Sequence, residues 1–406
     1  MKKKLFYGWR IVGAGSAIQV LQSVFVLQGF GAYVAVLTEE RGWSKTSLSG
    51  AAAMQSAESV LIGPILGWFM DRFGPQGMVR VGIVILGIGF LLLSQIETLL
   101  GFYGAFVVIA IGGSMSGFFP LNVAVIQWFE KYRARALAML ALGIAVGGML
   151  LPALAWSIQS YGWRATAFGS GLICIFAGLP LAWVVRRRPE DLGLTVDGLI
   201  KVSAAEIQEA PAPRREFSAR EAVRTRAFWM VSLGHACAMM AVYVVTVHAI
   251  THLKQGLGYT LAEASFVITL MTVGQGAGVF IGGAIGDRFE KRYLAALCNL
   301  MHGAGLLMLT YAGGAAMVLA FAVLHGVAWG MRGPLMQAIR ADYFGRRAIG
   351  LILGLSSMIV VSGHIIGPMV AGALADWTGD YRAGFTVIAA LVCLGSLFFV
   401  MAKSPR

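Results

Sequence analysis

Twelve mainly apolar stretches run along the chain, at 9–37, 45–70, 77–95, 98–127, 134–160, 163–185, 227–253, 260–286, 292–312, 315–340, 347–374 and 382–402. Each is long enough to cross a bilayer as a helix, which takes about 20 apolar residues. The pattern predicts an all-α membrane protein with twelve transmembrane helices. One long polar interval, 186–226, divides them six and six; it holds Arg186, Arg187, Arg188, Glu190 and the Pro211-Ala212-Pro213 turn. The expected organisation is therefore a six-helix bundle over 1–185, a linker over 186–226 and a second six-helix bundle over 227–406.

Basic residues orient these spans, because lysine and arginine collect on the cytoplasmic side of a membrane. With both termini inside, the outer loops and outer span ends carry only Arg41, Lys45, Arg164, Lys254 and Arg382, and Arg332 alone falls deep within a span. The rest of the 32 lysines and arginines sit at the cytoplasmic side. The linker and both termini are thus expected to be cytoplasmic.

The two halves repeat. Gly67-Trp68-Phe69-Met70-Asp71-Arg72-Phe73 returns 216 positions later as Gly283-Ala284-Ile285-Gly286-Asp287-Arg288-Phe289. The same shift relates Gly42-Trp43-Ser44 to Gly258-Tyr259-Thr260 and Pro152 to Pro368, and a shift of 214 relates Pro120-Leu121 to Pro334-Leu335. A recurring period of this size marks duplicated bundles, and paired repeats around a midplane site are how alternating-access carriers are built.

Composition narrows the class further. Of the 406 residues, 58% are hydrophobic and 13% charged, about half the charged share of a soluble domain. A soluble or disordered chain is excluded. The net charge of +13 follows from the loop bias, so no nucleic-acid partner is implied. The four cysteines, Cys174, Cys237, Cys298 and Cys393, lie in apolar stretches without metal or disulfide spacing. The basic Met1–Leu5 segment leads into a span longer than a signal-peptide core, so that span is expected to be retained.

Several of these residues carry a resemblance. Gly67, Asp71, Arg72 and Gly74 match the Gly-x-x-x-Asp-Arg-x-Gly loop of the major facilitator superfamily. The second copy keeps Gly283, Asp287 and Arg288, with Glu290 in place of the last glycine. The run Trp128-Phe129-Glu130-Lys131-Tyr132-Arg133-Ala134-Arg135-Ala136-Leu137-Ala138, followed by Gly143-Ile144-Ala145-Val146-Gly147-Gly148, is similar to span 5 of the monocarboxylate-transporter branch and its oxalate/formate-type bacterial relatives. Tyr7-Gly8-Trp9 is a weaker echo of that branch's N-terminal signature. The chain resembles the superfamily over essentially its whole length. The resemblance implies two pseudo-symmetric six-helix bundles and gating by Asp71, Arg72, Asp287 and Arg288. The alternative for those four is ordinary surface charge. It also implies that spans 2 and 11 pack together, which would bring Glu58 and His364 near each other at midplane.

Ionisable groups inside a span are costly, so each is a candidate site. Arg332, between Gly330 and Gly333-Pro334 in span 10, lies ten residues before Asp342, roughly 15 Å above the inner boundary at the helical rise. Its planar fork suits a carboxylate held bidentately; the alternatives are a structural ion pair or a side chain snorkelling inward. Glu58 lies thirteen residues before Asp71, about 20 Å above that face. It fits a proton carrier, or equally a protonated helix contact. His364 in span 11 suits a donor to a carboxylate, a proton shuttle or a packing histidine. Asn122 in span 4 lies close in depth to Arg332 and would donate to a carboxylate or to a nearby backbone. Gln22 and Tyr33 belong to a polar face of span 1, and Gln275 is the polar group of span 8. His248 and His252 share a helical face near the outer end of span 7 and suit a vestibule wall; no Asp, Glu or Cys completes a metal site. Gly112-Gly113 and Gly143 with Gly147 favour close helix approach.

No nucleotide loop, Ser/His/Asp arrangement or metal cluster points to an enzyme, and no cofactor is expected. The pattern is that of a secondary transporter of small, monocarboxylate-like organic anions. It would work by alternating access as a proton symporter in the plasma membrane, a bacterial inner membrane, and function as a monomer. Its partners are the anion, protons and the lipid bilayer. Two alternatives stand beside it: a proton-driven exporter of amphipathic compounds and a non-transporting membrane sensor.

Overall fold

A computed structural model describes residues 6–43, 63–198 and 216–405, and they are almost wholly helical. The chain divides into two compact units, Met1–Pro213 and Arg214–Arg406.

In the first unit, α1 (Tyr7–Gln22) passes through a π-turn at Ser23–Gln28 into α2 (Gly29–Arg41). Residues 63–73 form α3, followed by α4 (Pro75–Leu93), α5 (Leu99–Ser116), α6 (Phe118–Trp128) and α7 (Arg133–Met149). Then come α8 (Leu151–Ile173), a second π-turn at Cys174–Gly178 and α9 (Leu179–Val184). Small residues let α7 lie directly on α1: a Cβ on Gly143 would strike the Ser16 carbonyl, and one on Gly147 would strike Ser23. Gly112 meets the Leu86 backbone of α4 in the same way. An apolar core of Phe25, Tyr33, Phe90, Phe102, Phe106 and Trp163 fills the other end of the unit.

Two motifs far apart in sequence meet here. Phe129 packs between Phe6 and Trp9, with ring centroids 5.6 and 4.8 Å away. Tyr7 stacks obliquely on Trp128 and donates to the Val184 carbonyl at 3.0 Å. Gly8 is small because the Phe129 ring lies against it.

The second unit opens with α10 (Ala219–Val223), whose Ser218 and Glu221 form a capping box. It continues with α11 (Arg226–Thr251), a π-turn at His252–Gly256, α12 (Leu261–Ile285), α13 (Lys291–Thr310), α14 (Ala315–Phe344), α15 (Ile349–Thr378) and α16 (Arg382–Met401). Phe217 packs on Phe344 and donates its amide to that residue's carbonyl at 3.0 Å, which fixes the start of the unit to the end of α14. Helices α12 and α14 touch backbone to backbone. A Cβ on Gly326 would meet the Met271 carbonyl, and one on Gly330 the Gln275 carbonyl. Gly363 sits in the same manner on the Ala236 carbonyl of α11.

Large apolar side chains stand exposed on the outer faces of both units, among them Leu100 and Trp377 at 82% and 84%. Only a lipid solvent accommodates so many. Ten continuous helical stretches among the described residues are long and apolar enough to cross a membrane; one of them, Arg133–Val184, is long enough for two crossings and turns at Gly162, φ 80°. The chain is a multi-pass membrane protein.

The repeated loop has an instructive difference. Gly74 has φ 82°, where a side chain is strained and a Cβ would also press on Arg187. Its counterpart Glu290 has φ −61° and so needs no glycine. The missing glycine of the second copy therefore reflects a different turn.

Candidate functional site

The polar interior of the second unit lies where α11, α14 and α15 face one another. Arg332 on α14 is 2% exposed, and its Nε has no hydrogen-bond partner among the described residues. Tyr243 of α11 stacks flat on His364 of α15, ring centroids 3.9 Å apart and planes 11° from parallel. The Arg332 charge falls on both rings. These three residues form one polar layer.

A second layer lies further along the same helices. Arg340, 3% exposed, donates from Nε to Ser356 Oγ at 2.9 Å, from Nη1 to the Met336 carbonyl at 3.0 Å and from Nη2 to His235 Nδ1 at 3.1 Å. Ser356 also bonds Ser232, 2.7 Å between hydroxyls. Arg332 and Arg340, Tyr243 and His235, and His364 and Ser356 are each eight positions apart. Eight residues of helix rise about 12 Å, so three helices repeat one spacing and the layers are stacked.

No carboxylate pairs with Arg332 or Arg340 among the described residues. Two buried guanidinium ions without a counter-charge are unfavourable unless an anion, water or another partner meets them. Tyr243, His364 and His235 are only half-buried, so the layers open onto accessible space. The arrangement can bind a small anion by charge-assisted hydrogen bonds and offers imidazoles as donors or proton acceptors.

The other candidates are placed differently. Glu58 lies outside the described residues. In the first unit, Gln22 donates to Ser116 Oγ at 2.7 Å and to the Gly113 carbonyl at 3.3 Å. Asn122 is 2% exposed and donates to Phe118 of its own helix. Tyr33, 1% exposed, belongs to the apolar core beside Phe90. In the second unit, Gln275 lies at the α12–α14 seam, its carbonyl against Gly330. His248 bonds the Pro368 carbonyl of α15 at 3.0 Å, whereas His252 bonds the Leu309 carbonyl of α13 at 3.2 Å. Both rings nevertheless pack against Tyr381, with centroids 5.0 and 6.1 Å away, so they keep the shared face. His302 and His325 pair through their Nδ1 atoms at 3.2 Å, both fully buried. Arg72 lies over the Trp68 and Phe73 rings, and Arg187 donates to the Asp71 and Arg72 carbonyls. Asp287 is half-buried and Arg288 exposed.

Arg340, His235 and Ser356 are not among the site residues expected from the sequence. Arg340 stands two residues before Asp342, where the pattern predicts the basic inner boundary, but α14 continues to Phe344 and buries it. The shared spacing of eight on three spans was the available signal.

Helices of this number and length around a buried polar site define a membrane carrier of the duplicated six-helix type. The family model of the Major Facilitator Superfamily matches residues 17–248 and 231–406, and the chain belongs to that family. It is 26% identical over 408 residues to monocarboxylate transporter 11 of Homo sapiens, covering 97% of this chain and 82% of that protein. It is 23% identical over 397 residues to the membrane sensor protein UhpC of Salmonella typhimurium, covering 90% and 89%. The Escherichia coli fucose:proton symporter FucP has the same fold, with a TM-score of 0.74 at 15% identity over 97% of this chain and 98% of that one. The expected fold class and family thus hold, and the chain is a transporter-family protein rather than an enzyme.

Proposed function

We propose that this protein is a secondary transporter of small organic anions of the monocarboxylate type, coupled to protons and working by alternating access. The observation that carries the reading is Arg332, 2% exposed and without a carboxylate partner among the described residues. The likeness to a monocarboxylate transporter supports the substrate class. Arg332 anchors the carboxylate, with His364 donating beside it. Gln22, Asn122 and His248 give hydrogen bonds to protein acceptors, so they and Tyr33 shape the walls; Gln275 does so at the α12–α14 seam. Glu58 carries a proton, and Asp71, Arg72, Asp287 and Arg288 act in gating. The lysine and arginine bias supports cytoplasmic termini and a plasma-membrane location; the protein functions as a monomer, with 1–185 and 227–406 as the two moving halves joined by 186–226.

Proteoliposome uptake of labelled acetate, lactate, pyruvate and oxalate, with and without an inward proton gradient, tests this. At least one should accumulate with the gradient, and Arg332→Gln should abolish its uptake. Movement of cationic dyes but of none of these acids would replace the reading with the exporter. The likeness to a membrane sensor favours one other outcome, binding without flux, which would show as carboxylate binding in detergent with no uptake in liposomes.

A further inference from the structure

The Arg340–His235 contact has a direction. A guanidinium only donates, so His235 Nδ1 must accept from Arg340 Nη2 and carries no proton while that bond is made. Among the described residues, the charged and titratable groups facing His235 are Arg340 and Arg332 from α14 and His364 from α15. None is a carboxylate. A proton on His235 would therefore add a third cation to two buried ones and would have to break the Arg340 bond.

An anion reverses both terms. Three of the five N–H groups of Arg340 are held by Ser356, Met336 and His235. A carboxylate arriving at Arg340 can accept from Nη2 in place of His235. That frees the Nδ1 lone pair, and the negative charge then favours a proton on the ring.

We propose that Arg340 and His235 form a second anion site, about 12 Å along the helix from Arg332, at which one carboxylate and one proton bind together. The proposal rests on the anion-transport reading above. In this step the hydrogen bond donated by Nη2–H passes from His235 Nδ1 to a carboxylate oxygen, Nδ1 takes up one proton from the buffered solution, and the added charges, −1 and +1, sum to zero. Because coupling between two ligands is reciprocal, the anion recruits the proton and the proton tightens the anion. Ser356 and Ser232 act as positioning residues that hold Arg340 in reach.

His235→Gln tests it, since a glutamine oxygen still accepts from Arg340 but takes up no proton near neutral pH. The first readout is proton uptake in lightly buffered detergent solution on adding whichever of acetate, lactate, pyruvate or oxalate is carried. At saturating anion, wild type should take up about one proton more per molecule than His235→Gln, in which Glu58 remains to take up its own. The second is the pH profile: above the histidine range the apparent affinity of the second site should weaken by up to about tenfold per pH unit in the wild type, and His235→Gln should lose that part of the slope. His235→Asn provides the same comparison should His235→Gln not fold. A wild type that binds the anion without proton uptake, or a folded variant that keeps full uptake and slope, overturns the proposal while leaving anion transport standing. If none of the four acids is bound or carried, the anion reading itself fails, and this proposal with it.

Discussion

Asp197 and Glu216 hold equivalent loops of the two repeats. The Asp197 carboxylate accepts from the backbone amides of Glu130 at 3.1 Å, Lys131 at 2.8 Å and Tyr132 at 3.4 Å, just before α7. The Glu216 carboxylate accepts from the amides of Arg346 at 2.8 Å and Arg347 at 2.7 Å, just before α15. Glu130 and Arg346, and Lys131 and Arg347, are related by the shift of 216 that relates the loop motifs. The linker thus supplies one carboxylate to each half, and the repeat extends to how its loops are capped.

Capping of this kind is worth about 0.5–2 kcal/mol. Asp197 also has φ 60°, the one positive value at a non-glycine among the described residues, which asparagine and aspartate tolerate best. Asp197→Ala should therefore cost about 1–2 kcal/mol, through both the lost acceptor and the strained backbone. Asp197→Asn keeps an acceptor and the conformation and should cost less than half of that. Thermal unfolding in detergent separates them; equal loss in both variants would show that charge alone matters.

Ser356 should be a sensitive position out of proportion to its size. It accepts from Arg340 Nε inside a buried layer and bonds Ser232. Ser356→Ala leaves a buried charged donor without its acceptor, a loss of about 1–3 kcal/mol. Among the described residues, its neighbour Ser357 bonds only the Leu353 carbonyl of its own helix, so Ser357→Ala should stay within about 0.5 kcal/mol. Chemical denaturation of the two variants in detergent makes the comparison. Similar losses would mean that Ser356 does not hold Arg340.

Long apolar runs made the spans readable without structure, because a bilayer demands length and hydropathy and little else. The interhelix chemistry was less readable. Arg332 stood out, being a charge far from any polar break, but Arg340 hid beside Asp342 at what looked like a helix end. His248 and His252 have the spacing of a shared face and both lie beside Tyr381, yet they bond carbonyls of different helices, Pro368 of α15 and Leu309 of α13. Which histidine meets which arginine depends on helix registers set by close contacts such as Gly363 on the Ala236 carbonyl and Gly330 on the Gln275 carbonyl. Local periodicity does not encode those registers.

Acid should loosen one junction of the first unit. Glu97, in the loop between α4 and α5, accepts from Arg41 Nη2 at 2.9 Å and from Arg164 Nη2 at 2.6 Å, tying that loop to the end of α2 and to the Gly162 turn within α8. The Arg41 hydrogen bond, with the nearby Arg164 charge, holds its carboxyl below the usual carboxylate range. A group whose proton affinity is lower folded than unfolded stabilises the fold above its unfolded pKa and loses that contribution as pH falls through the folded one. The effect is small because the site is exposed and screened. Wild type should therefore melt higher than Glu97→Gln at about pH 7, and the gap should narrow at about pH 3, below the normal glutamate range. Raising the salt at pH 7 should narrow the gap. Melting curves separated by a constant interval at both pH values would show that packing of the side chain, rather than its charge, joins the three segments.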